Sequence, residues 1–318
     1  MPQMQIRSAG PGSTAPLGPA DSRPQADRLE KAQATLGLRS VFSDLLRQAG
    51  QEGWQSAPKA LRETGSGAHS ETVTAGAAVD AVASWDRWLG AHADRYSFTT
   101  SGSPSVRPDK GLEDLRQDYG RILQGAQAAG AYAQPQAYLK TLSQEDLRTV
   151  QQVHARADAI DPAQLSHEGA LNLLLPPDAM VDSDRDGVTE VGGTKVMHFP
   201  SSTTPPEVCA AWDAATANLS PEEVLLRQLQ MGSGPQTQAN LRFDSQGRLV
   251  DIINPGDPGW VNPFSDPSYT YKDFAKEQLA LLDKFKGLMP EAQVKRDEAF
   301  WRSFRDALSA DRPSAGAT

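Results

Sequence analysis

The sequence predicts an α+β protein, predominantly α-helical, with a small antiparallel β-sheet of about three strands. Three observations carry this. Apolar residues recur at helical spacing along most of the chain, most clearly at Leu112, Leu115, Tyr119, Ile122, Leu123 and Ala126. Helix starts are written out at Ser143–Asp146, which reads as a capping box, and at Ser220–Glu223, where an N-cap serine precedes proline and two first-turn acids. Only two stretches alternate as strands do. They are Thr194–Phe199, and Leu241–Ile253 with Asp244, Ser245, Gln246 and Gly247 as the turn of a hairpin.

In chain order, residues 1–27 are rich in Pro, Gly, Ser, Ala and Gln without periodicity, and predict a disordered tail. Residues 28–98 predict a small helical unit. One helix carries Val41, Phe42, Leu45, Leu46 and Ala49, and a second carries Val79, Val82, Trp85, Trp88 and Leu89, with its tryptophans expected in the core. The Ser/Gly/Pro stretch 99–108 reads as a linker. Residues 109–312 form the main α+β domain, which closes with two helices separated by Pro290, and 313–318 are expected to fray. Pro176 and Pro177 end a helix expected from about Pro162 to Leu175.

The 318 residues carry a net charge of −9, and no cluster of Lys and Arg stands out, which argues against nucleic-acid binding. The longest apolar run, Ala170 to Leu175 with one Asn in it, falls far short of the ~18 residues that span a bilayer, so no membrane insertion is expected. The start of the chain lacks the pattern of a cleaved secretory signal. The localisation that follows is cytoplasmic, with export by a route without a cleaved signal as the alternative. A single cysteine, Cys209, excludes an internal disulfide framework and lies in an apolar helical run as an inert thiol.

Side-chain identity and spacing specify chemistry in one place, Val181–Lys195. Asp182, Asp184 and Asp186 recur every second residue and are followed at once by Gly187, so three carboxylates turn inward on one tight loop. The run resembles the calcium loop of EF-hand proteins over about a dozen residues. On that register the resemblance implies Asp182, Asp184 and Asp186 as ligands, Gly187 as the turn, Val188 through its carbonyl, and Glu190 at the ninth position. Position twelve is Gly193 where the family has a bidentate Glu, and the chain enters from Met180–Val181 rather than from a helix. The loop is equally similar to the shorter DxDxDG loops of dockerin-like and thrombospondin-like modules, in which an acid three residues after the glycine closes the site. Glu190 holds that place. The cofactor implied is Ca²⁺.

No nucleophile elbow, phosphate-cradling loop, dinucleotide fingerprint or paired zinc histidines occur. The functional expectation is a calcium-binding structural or protein-interaction protein, its protein partner unidentified, with the ion as a structural staple. A signal-independent exported effector or surface-associated protein ordered by extracellular calcium is the alternative. An enzyme of unknown class, its site assembled from distant residues, stands third.

Overall fold

A computed structural model of the chain describes residues 23–56, 80–96 and 110–310. The expected 99–108 linker, the 313–318 end and residues 1–22 of the expected tail lie outside these. The first helix, α1 (Arg23–Gln48), begins well before Val41 and takes in residues 23–27 of the expected tail. Its buried stripe explains the extension, because Ala34 and Leu38 continue the spacing of Phe42, Leu45 and Leu46 towards the N-terminus. Helix α2 (Ala81–Ala91) packs against α1, capped by Asp80, whose carboxylate accepts from the Ala83 amide. Trp85 and Trp88 are fully buried and stack with centroids 5.6 Å apart. Their indole N–H groups are satisfied by Arg116 O and Asp178 Oδ2 at 3.2 and 2.9 Å, so they are core residues.

Helix α3 (Leu112–Ala128) lies against α2, and Gly130 turns the chain in the left-handed region after it. Two short helices follow, α4 (Pro135–Leu139) and α5 (Gln144–Val153). The Ser143–Asp146 capping box opens α5 as expected: Ser143 Oγ accepts from the Asp146 amide, and the Asp146 carboxylate accepts from Ser143 N–H. Helix α6 (His167–Leu173) starts later than its apolar run suggested, at the Ser166 cap. Together these elements enclose one apolar core that runs from Leu38 to Val191, on both sides of residues 99–108.

A second core begins at Phe199. It is built by α7 (Pro206–Thr216), α8 (Pro221–Ala239), α9 (Tyr271–Phe285) and α10 (Glu291–Ala310), around Trp212, Met231, Phe274, Phe300, Trp301 and Phe304. The described residues contain ten α-helices, and none is long and apolar enough to cross a membrane.

The expected three-stranded sheet is corrected to two separate antiparallel hairpins. Strands β1 (Thr189–Val191) and β2 (Thr194–Val196) pair across Gly192–Gly193, while β3 (Leu241–Phe243) pairs with β4 (Leu249–Ile252). Alternation marked β2 and the second hairpin. It did not mark β1, which lies in the tail of the acidic loop and is the partner that β2 takes.

Two histidines constrain the working pH. His154, with Nε2 3.3 Å from Leu173 O, is held down to about 4 by burial. His198 is also held down to about 4, by burial and then by the Arg39 guanidinium. Folding therefore favours neutral imidazoles: for His154 the contribution is complete above the ordinary value of 6.5 and is lost as pH falls towards about 4. The denaturation midpoint should fall over that interval by the equivalent of roughly 1–3 kcal/mol per imidazole. An NMR titration of His154 should show no protonation before pH approaches that lower value, and an inflection at an ordinary histidine pKa would contradict the burial.

Candidate metal centre

The acidic loop leaves the first core at Val181 and returns to it at Val191, both buried. Asn172 of α6, completely buried, clamps its two ends. Its Nδ2 donates to Val181 O at 2.8 Å and to Glu190 O at 2.7 Å, while its Oδ1 accepts from Val181 N at 2.8 Å. Helix α6 and the β-hairpin approach backbone to backbone, Gly192 N donating to Gly169 O at 2.9 Å. Only glycine fits at 169, since a Cβ there would stand 2.1 Å from Gly192 O. The small residues of α6 thus bring the helix close enough for one of its acids to enter the loop.

That acid is Glu168. Its Oε2 accepts from Ser183 N at 2.6 Å, Ser183 Oγ at 2.8 Å and Asp184 N at 3.3 Å, and its Oε1 accepts from Glu190 N at 2.7 Å. One carboxylate therefore bridges the start and the end of the loop. Within the loop, Gly187 N donates to Asp182 Oδ2 at 3.1 Å, Asp186 N to Asp184 Oδ1 at 3.2 Å, and Val188 N to Asp186 Oδ1 at 2.8 Å. Arg185 and Gly187 both take positive φ, 60° and 87°, which closes the turn.

One carboxylate oxygen from each of Glu168, Asp182 and Asp184 falls within 4.8 Å of the others. Asp182 is 2% exposed and its Oδ1 has no hydrogen-bond partner. Burial, then the neighbouring Glu168 and Asp186, push the Asp182 carboxyl up to about 7. Burial also raises Glu168 and Asp186. The loop thus concentrates carboxyl groups whose charged forms are penalised by desolvation and by one another.

Of the residues picked from spacing, Asp182 and Asp184 are brought together. Asp186 caps the Val188 amide beside them, and Val188 is buried. Glu190 points its Oε2 at Ser166 Oγ, 2.6 Å away, outside the triad. Glu168 was missed. It precedes the loop by a whole helix and sits in a first turn, where an acid is ordinary because it complements the helix dipole. Its burial is the distinguishing signal, and that exists only in three dimensions.

The outer side of the loop is held by the second half of the chain. Trp260 Nε1 donates to Asp186 O and Asn262 Nδ2 to Arg185 O, both at 2.9 Å. Gln236 Nε2 of α8 donates to Gly187 O, and Ser202 Oγ accepts from Asp182 N at 2.9 Å. The loop is therefore a joint between the two halves. Comparison of the chain with models of protein families, with curated proteins and with solved structures found no match.

Gly187 bears the tightest demand in this joint. A Cβ there would lie 2.6 Å from Asn262 Oδ1 and 2.7 Å from Gln236 Nε2, on a backbone with φ 87°. Gly187→Ala should destabilise the fold by about 2 kcal/mol or more. Gly193→Ala, with open space around its Cβ, should cost under about 1 kcal/mol. Denaturant titration of both variants is the check, and equal costs would refute the packing described.

Proposed function

We propose that the chain is a calcium-binding structural protein whose ion sits between the 182–190 loop and Glu168. The observation that carries the reading is the unpartnered Oδ1 of the buried Asp182, set among carboxylates. An uncompensated carboxylate in such a place costs several kcal/mol, and a divalent cation converts that cost into attraction. All the donors in the triad are oxygen, which suits a hard cation and disfavours zinc. Calcium is preferred to magnesium because it accepts many carboxylate and carbonyl oxygens in irregular geometry. Asp186, the Val188 carbonyl and Glu190, the other positions of the loop register, are the candidates to fill out its shell.

The reading is of a staple rather than a switch. A sensor loop couples its last ligand to an outgoing helix. This loop runs instead into β1, its two ends clamped by Asn172 and its outer side by Trp260, Asn262 and Gln236. Among the described residues there is no second acidic cluster to pair with it. Without a bidentate closing glutamate at position twelve, affinity in the range ~10⁻⁵ to 10⁻³ M is expected. Calcium at ~100 times its dissociation constant would then stabilise the fold by ~2.7 kcal/mol.

Calorimetric titration of the metal-stripped chain should give about one ion per chain. Glu168→Gln and Asp182→Asn should each weaken binding by about tenfold or more, and Asp244→Asn in the β3–β4 turn should leave it unchanged. No heat with calcium, or undiminished affinity in the first two variants, would refute the assignment.

A further inference from the structure

We propose that the cleft between the two cores is a binding site for a small molecule bearing an oxyanion, carboxylate or phosphate, with Arg39 as its anchor. The cleft encloses about 1540 Å³ and is lined by α1, α7 and the start of α9. It is distinct from the carboxylate triad, none of whose members lines it. Of the six Lys and Arg residues that line it, Lys31, Arg95, Arg185 and Lys276 are paired with Asp94, Asp178, Glu52 and Asp273, which leaves Arg39 and Lys272 outside an ion pair among the described residues.

Arg39 is built as a receptor rather than as half of an ion pair. Its guanidinium carbon lies over the Trp54 ring, 3.6 Å from the centroid, and its Nε donates to Asp178 O at 2.9 Å. The platform is rigid. Trp54 is 2% exposed, its amide donates to Ser43 Oγ at 2.9 Å, and its indole donates to Met180 O at 3.0 Å.

Two carboxylates, Asp178 and the Asp213 that also lines the cleft, act on Arg39 through their charge; Asp213 forms no ion pair with it among the described residues, and Asp178 is already engaged. The Asp178 carboxylate accepts from Trp88 Nε1 at 2.9 Å, Thr35 Oγ1 at 3.2 Å and Arg95 Nη1 at 2.9 Å. Among the described residues, no carboxylate lies within ion-pair distance of Arg39 and no acceptor meets its two Nη groups. Those two nitrogens form the edge of the fork that takes two oxygens of one carboxylate or phosphate in parallel. Burial lowers the Arg39 pKa, so an arriving oxyanion restores what desolvation removes.

The rest of the cleft favours an organic ligand over a bare ion. Trp212, Phe264 and Tyr271 contribute an aromatic wall, with Phe264 stacked on Tyr271 at 5.8 Å. The remaining lining is mostly polar, so the aromatic wall and the Arg39 fork stand on a surface that offers hydrogen bonds to the rest of a ligand. Cys209 also lines the cleft, but burial pushes its thiol up to about 11 and its Sγ lies 3.7 Å from Thr204 O, so it provides packing and no nucleophile.

The test is calorimetric titration of the full chain with phenyl phosphate and with benzoate, and with benzyl alcohol as the neutral counterpart. At least one of the two oxyanions should bind at one site per chain, and benzyl alcohol should bind at least about tenfold more weakly, since a charge-assisted hydrogen bond is worth a factor of that order. Arg39→Gln, checked for an unchanged circular-dichroism spectrum, should weaken the oxyanion by about 10- to 100-fold. Should that variant fail to fold, Arg39→Lys retains the charge and the aliphatic stem over Trp54 but removes the fork, and a clear loss of affinity is again expected. No binding of either oxyanion at millimolar concentration, equal binding of benzyl alcohol, or undiminished affinity in the folded Arg39 variant would overturn the proposal.

Discussion

The carboxylate of Glu168 is the contact on which the arrangement of the acidic loop depends. It gathers amides from both ends of the loop, Ser183 and Asp184 on one side and Glu190 on the other, onto two oxygens of one side chain. Hydrogen bonds to an ionised acceptor are strong, and each holds the backbone in a turn that also needs left-handed residues at 185 and 187. The same contact brings Glu168 within reach of Asp182 and Asp184, where like charges repel by a few kcal/mol at short range. Order in the backbone and crowding of charge thus have one origin. A bound cation would let the loop keep the first without the penalty of the second.

The position of the loop gives this local chemistry a wider consequence. Among the described residues, buried apolar side chains from Leu38 to Val191 share one apolar core, and the second core begins at Phe199. Side chains from the second half, Trp260, Asn262 and Gln236, reach carbonyls on the loop itself. Those contacts are polar and directional, so they depend on the loop holding its shape. Loosening the loop would leave each core packed but weaken the register between them, and the cleft that Arg39 lines lies along that boundary.

Much of the fold was legible in local signals, because caps and periodicity are properties of short stretches. Ser143 and Ser220 open helices as their neighbours required, and Trp85 and Trp88 are core residues, as helical spacing implied. Strand pairing was not local. The alternation of Thr194–Val196 signalled a strand but not its partner, and Thr189–Val191 was hidden behind the acidic motif it continues. The start of α1 was missed because the core positions before Val41 are carried by Ala34 and Leu38, among polar residues. In the loop, spacing identified Asp182 and Asp184, whereas Glu168 reaches them only because Gly169 lets α6 press against Gly192. Arg39 offered no signal at all, since its role rests on Trp54 beneath it and on Asp178 being engaged elsewhere.

A hard cation held by the loop and Glu168, as proposed, would lie near Trp260, whose indole donates to Asp186 O at 2.9 Å. Terbium is a hard trivalent ion that takes calcium sites and emits when a nearby tryptophan transfers excitation to it. Excitation of the tryptophan band of the metal-stripped chain should give sensitised terbium emission that calcium displaces. Trp260→Phe, which also removes one contact to the loop, should reduce the emission by more than it reduces binding measured by calorimetry, and Glu168→Gln should reduce both. Emission that is absent, that calcium does not displace, or that survives Glu168→Gln unchanged would contradict the account.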